Sequence, residues 1–190
     1  MKRLIYIFLG LIVCDFQTQA QGKQVDSLKQ LLAQSEEDTS AYNILRLLSW
    51  NIMFSYPDTA LSYAQQALLL PNNLNDEPRK SEALLLCGTA WSVIGNYPLA
   101  INYLLKGVRI EEELKTIRTN DVWIIPTLQL YYYNISDCYM DLGDYDNALN
   151  YYTKSVKVPY KNTDDNSMES FFHLSRIYEK FNHLANEIHP

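Results

Sequence analysis

The chain has 190 residues, of which 47% are hydrophobic and 20% charged, enough apolar content to build a core and too much for a disordered tail. Its 16 Lys and Arg against 22 Asp and Glu leave a net charge of −6, a surface that repels phosphate backbones and argues against nucleic acid as a partner. With only 6 Gly and 7 Pro, a β-sandwich or barrel built on many tight turns is disfavoured.

At the N-terminus, Lys2 and Arg3 precede an apolar run from Leu4 to Cys14, and a polar stretch ends in Thr18-Gln19-Ala20. That order predicts a secretory signal peptide over residues 1–20, cleaved after Ala20. Eleven apolar residues are too few to cross a bilayer. A permanent anchor and a lipid on Cys14 are the competing readings; against the second, Val13 stands where bacterial lipoprotein signals generally carry a small residue. No later segment holds 18 consecutive apolar residues, so the mature chain is expected to be exported, periplasmic or secreted, without a membrane span. Loss of Cys14 leaves Cys87 and Cys138, too few for a disulfide framework in an oxidising compartment. Both fall at or beside core-facing positions of predicted helices, where a free Cys packs as a small hydrophobe. One bridge between neighbouring helices is the alternative.

Next in chain order, Val25, Leu28, Leu31 and Leu32 predict a short amphipathic helix that caps the N-terminal end. Then three segments align without gaps: Ala60 to Leu70, Ala100 to Ile110 and Ala148 to Val158. Each reads Ala, aliphatic, Ser or Asn, Tyr, three variable residues, small, aliphatic, variable, aliphatic. The apolar positions fall at i, i+1, i+7 and i+8, one face of a helix. Upstream of each lies a second amphipathic helix, carrying Ile44, Leu47 and Leu48, then Leu84, Cys87, Gly88 and Trp91, then Tyr132, Ile135, Ser136 and Tyr139. Short turns join the two, Ser55-Tyr56-Pro57, Gly95-Asn96-Tyr97-Pro98 and Gly143-Asp144-Tyr145, with glycine as the helix stop.

These units resemble tetratricopeptide (TPR) repeats, whose pattern is W-x2-L-G-x2-Y, then A-x3-F, then P. The third unit fits best, with Tyr132, Ile135, Ser136, Tyr139, Ala148, Tyr152 and Pro159. The second matches through Leu84, Cys87, Gly88, Trp91, Ala100 and Leu104 and lacks the closing proline. In the first, Leu48 aligns with the small residue, Asn51 with the aromatic, and Ala60, Ala64 and Pro71 carry the second half. The resemblance implies an all-α, right-handed superhelical solenoid of antiparallel helix pairs over 21–190. Its units are expected at about 40–72, 77–118 and 123–160, with a half unit at 165–190 that bears Phe171, Leu174, Tyr178 and Phe181 and offers a site of self-association. The Ala-to-Ala spacings of 40 and 48 residues exceed the usual 34 or so, so helices are expected to lengthen through Glu111 to Arg118 and Trp123 to Leu130. Pro126 then either opens a helix at its first turn or kinks it.

No catalytic constellation is apparent. His173, His183 and His189 show no metal-site spacing, there is no phosphate loop or nucleophile elbow, and no cofactor is expected. Asp141, Asp144 and Asp146 read as helix-end and capping residues rather than a calcium loop. Most of the 15 Tyr are packing residues, since Tyr63, Tyr103 and Tyr151 recur at one repeat position. Tyr133, Asp137 and Asp141 lie at i, i+4 and i+8, on the face that in TPR proteins lines the concave groove. The corresponding positions are Leu45, Ser49 and Met53 in the first unit, and Leu85, Thr89 and Val93 in the second. They lack the Lys, Arg and Asn of family members that clamp peptide carboxylates. The resemblance thus implies a non-enzymatic, exported scaffold that takes a protein or peptide in its groove. A second implication is a periplasmic input module, similar to the sensing regions of Bacteroidetes-type sensor kinases and regulators.

Overall fold

The computed structural model describes residues 22–35, 39–74, 76–117 and 124–158, which form seven helices and no strand. The expected signal peptide, the half unit at 165–190 and all three histidines lie outside the described residues. A short α1 (22–32) precedes three helix pairs: α2 (Thr39–Ile52) with α3 (Pro57–Leu74), α4 (Glu77–Ile94) with α5 (Tyr97–Ile117), and α6 (Ile124–Asp141) with α7 (Tyr145–Lys157).

Local chemistry marks most helix ends. Gly95 and Gly143 take φ of +90° and +77°, left-handed conformations that a Cβ would make costly. Each closes the end of its helix with two bonds. Gly95 N–H donates to Ser92 O at 3.0 Å and Asn96 N–H to Trp91 O at 2.9 Å, while Gly143 N–H reaches Met140 O at 3.1 Å and Asp144 N–H reaches Tyr139 O at 2.9 Å. Asp76 and Asp144 cap the following helices, accepting from Arg79 N–H at 3.1 Å and Asn147 N–H at 3.2 Å, which satisfies donors that have no partner within the helix. Val158, extended at φ −68° and ψ 121°, ends α7 just before Pro159, as the residue before a proline tends to do.

The first pair is built differently. No glycine stands between α2 and α3; Tyr56 N–H donates back to Ile52 O at 2.8 Å and α3 starts at Pro57. The link is one residue shorter, with 11 steps from Ser49 to Ala60 against 12 from Gly88 to Ala100 and from Ser136 to Ala148. Ser49 Oγ donates to Ala60 O at 2.9 Å, as Ser136 Oγ donates to Ala148 O at 2.8 Å. Ser49, not Leu48, is therefore the small residue of the first unit. Its packing set is Leu45, Leu48, Ser49 and Ile52, all buried, in place of the expected Ile44, Leu47, Leu48 and Asn51. The second unit makes the same close approach with Gly88, whose missing Cβ would stand 2.6 Å from Leu104 Cγ and 3.3 Å from Ala100 O.

The unusual spacing goes into longer helices. The 21-residue α5 reaches Ile117, and α6 begins at Ile124, placing Pro126 in its first turn, where no helix bond is lost. The first unit's second helix, α3, runs through Pro71 to Leu74. The core is continuous: Trp91 packs both on the cluster around Leu48, Ile52, Met53, Ala60 and Cys87 and on the one around Leu104, Tyr131, Ile135 and Cys138. In α1, Val25, Leu28 and Leu32 join the first cluster, but Leu31 is 51% exposed. Cys87 and Cys138 are buried free thiols, pushed up by burial to about 12 and about 11, so neither is a thiolate near neutral pH.

Candidate functional site

A groove follows from how the pairs stack. Contacts join α2 to α4 and α4 to α6, while no comparable set joins α3 to α5 or α5 to α7 among the described residues. The stack closes up along the first helices and opens along the second. The inner side is thus lined by α2, α4 and α6, and in each the residues three before, one after and five after the small position form a stripe at i, i+4 and i+8.

On α2 that stripe is Arg46 and Trp50, and its third position, Phe54, falls in the turn after the helix; the two aromatic residues are 55% and 78% exposed. Ser49 and Met53, expected on the groove, are instead buried at 0% and 1%, as is Leu45 at 4%. One residue of register turns a helix by about 100°, which exchanges the core-facing and groove-facing sets. On α4, Thr89 is half-buried, with Oγ1 donating to Leu85 O at 2.9 Å. Leu85, also expected on the groove, is only 7% exposed and packs into the core. On α6, Tyr133 and Asp137 are half-buried and Asp141 is exposed.

The two ends of this surface differ electrostatically. Arg46 Nη1 pairs with Glu82 Oε1 at 3.3 Å, and the Tyr42 hydroxyl donates to Glu82 Oε2 at 2.9 Å. Burial, reinforced by the Glu82 charge, holds the Tyr42 phenol well above its ordinary value. At the other end, the Asp141 charge holds the Tyr97 phenol above its ordinary value. Asp141 is the last residue of α6, where the helix dipole adds further negative potential.

Behind the groove, the second and third units meet through a buried polar cluster. Ser81 Oγ donates to Glu111 Oε1 at 2.5 Å and lies 3.2 Å from the Tyr131 hydroxyl, which donates to Ser81 O. Tyr131 fits because Gly107 faces it; a Cβ there would stand 1.9 Å from Tyr131 Oη. Glu111 is 4% exposed, its Oε2 has no hydrogen-bond partner, and burial raises its carboxyl above the ordinary range. Among the described residues, no group of three His, Cys, Asp or Glu stands close enough to hold a metal, and no helix is long and apolar enough to cross a membrane.

A family model described as the SusR N-terminal TPR domain matches residues 15–169. The chain belongs to this family. The solved structures agree on the fold of this TPR domain. A Podosopora anserina putative kinesin light chain with TPR-like repeats superposes with a TM-score of 0.67 at 18% identity, covering 88% of this chain and 81% of its own. A Rap protein solved in complex with Competence and Sporulation Factor gives a TM-score of 0.71 at 17% identity, over 91% of this chain and 48% of its own length. The Arabidopsis FLU TPR domain gives 0.50 at 23% identity, over 60% of this chain and 91% of its own. No curated protein matches the TPR domain.

The exposed pair Trp50 and Phe54 was not singled out by aligning the first unit on the turns of the other two. A usable signal was present: counting back from Ala60 by 11 or 12 steps reaches Ser49 or Leu48, and only serine is small enough for the close approach.

Proposed function

We propose that this TPR domain is an exported interaction scaffold that binds a protein or peptide along α2, α4 and α6, with Trp50, Phe54, Thr89, Tyr133, Asp137 and Asp141 as contacts. The observation that carries the reading is the exposed pair Trp50 and Phe54 at the C-terminal end of α2 and in the turn after it. Large aromatic residues exposed together are a feature of interaction surfaces. The Rap protein, solved with Competence and Sporulation Factor bound, shares the architecture and supports ligand binding by such a solenoid. A photo-crosslinking residue placed at Trp50 in cells is expected to form adducts that the same residue at Leu69, 64% exposed on the outer α3, does not. Equal adducts at both, or none at Trp50, would overturn the reading. Export is tested by fractionating cells and sequencing the mature N-terminus, expected at Gln21.

A second reading, an input module of a signalling protein, is favoured by the family's description as an N-terminal domain. Sequencing the transcript past the codon for Pro190 tests it, with an in-frame output domain as the supporting result. The half unit at 165–190 is then expected to seek a partner helix, and light scattering over a concentration series reads out its self-association.

A further inference from the structure

We infer that the groove selects a cationic segment carrying a large apolar side chain. That side chain lies on Trp50 and Phe54, and a Lys or Arg about five or six residues further along an extended chain reaches Asp137 and Asp141. The inference rests on α2, α4 and α6 being the binding face and adds the chemistry of the ligand.

Trp50, in the last turn of α2, and Phe54, in the turn that follows it, are more than half exposed, so an apolar side chain laid on them removes ring surface from water. Aromatic faces also favour offset or edge contacts with another ring. This end does not recruit an anion, because Glu82 already pairs with Arg46 at 3.3 Å. The middle of the path is neutral. Thr89 spends its hydroxyl proton on Leu85 O and Val93 packs partly into the core, so a backbone can pass without being selected by side-chain charge.

The α6 end supplies the charge. Asp141 is exposed at the last residue of α6, its charge holds the nearby Tyr97 phenol neutral, and the α6 dipole ends beside it. With a net charge of −6 over the chain, the long-range field also favours a cationic partner. Packed helices lie about 8–10 Å apart, so the path from α2 across α4 to α6 is roughly 16–20 Å. At about 3.3 Å per extended residue this gives the spacing between apolar and basic side chains.

Random twelve-residue peptides displayed on phage and panned against the purified protein test the inference. Expected is enrichment of Trp, Phe or Leu five or six positions from Lys or Arg. For a resynthesised winner measured by fluorescence polarisation, Trp50→Ala or Phe54→Ala is expected to weaken binding about tenfold. The double change Asp137→Asn with Asp141→Asn weakens it about three- to fivefold, a loss that high salt erases. Melting temperatures are recorded beside each variant, so that a misfolded variant is not scored. Enriched peptides lacking the basic residue, or indifferent to both aromatic changes, would overturn the inference while groove crosslinks at Trp50 would leave the binding face standing. No enrichment overturns the inference, and with no crosslink at Trp50 the binding face falls too.

Discussion

The central α4–α5 pair is joined to its two neighbours by different chemistry. On the α2 side the bridging groups are Tyr42, Arg46 and Glu82, with the Arg46 and Glu82 side chains 35% and 42% exposed. On the α6 side they are Ser81, Glu111 and Tyr131, with Tyr131 and Ser81 fully buried and Glu111 4% exposed. Both seams place a tyrosine hydroxyl and a glutamate at the start of α4. Burial sets their weight: an exposed ion pair contributes about 0–1 kcal/mol, whereas a buried polar cluster is costly to leave half satisfied. The repeat thus uses one architecture with a half-exposed ion pair at one seam and a buried polar cluster at the other.

Substitutions should separate the two seams, and the largest effect is expected at Gly107. Gly107→Ala sets a methyl group 2.1 Å from Tyr131 Cζ, in a place where neither backbone nor ring has room. A loss of about 3 kcal/mol or more is expected in urea unfolding. Wild-type stability in this variant would show that α5 and α6 are not packed this way.

Tyr131→Phe keeps the ring and deletes a hydroxyl that donates to Ser81 O. About 1 kcal/mol is expected from the lost buried bond, read by the same unfolding curve. The corresponding Tyr42→Phe change acts on a ring that is equally buried, at 1% exposed, but its acceptor Glu82 has a side chain 42% exposed that water can satisfy, so it should cost less.

Glu111 makes the dry seam sensitive to pH. Its carboxyl is raised by burial in the folded protein, so the folded state holds the proton more tightly than the unfolded chain. The stability it contributes is fully present below the unfolded value and is lost as pH rises through the raised folded value. Thermal melting of the wild type is expected to fall, relative to Glu111→Gln, as pH rises from the ordinary carboxylate range to neutrality. Parallel curves for the two proteins would refute this.

Smallest of all is the screened seam. Arg46→Ala is expected to cost less than about 1 kcal/mol, and the difference from wild type should shrink further at 1 M salt, where the screening length is about 3 Å. A larger, salt-independent loss would mean that Arg46 acts through packing of its stem on α4.

Much of this was readable in the residues. Gly95 and Gly143 announced two turns, and Ala60, Ala100 and Ala148 announced three second helices, because caps and amphipathic periods are local properties. Asp144 as a capping residue was equally visible. The first unit misled because its turn lacks glycine, and aligning it on the turn placed Ser49 and Met53 on the groove. The contact between Glu111 and Ser81 had no local sign, since 30 residues separate them.

Residue order alone is enough to specify a stack of helix pairs, with small residues where paired backbones approach. Those features depend on neighbours within one or two turns. Only the tertiary structure decided which side of α2 meets the core. Its link to α3 is one residue short, and each residue rotates a helix face by about 100°, so packing of Ser49 against Ala60 settles the register and leaves Trp50 on the exposed side of α2.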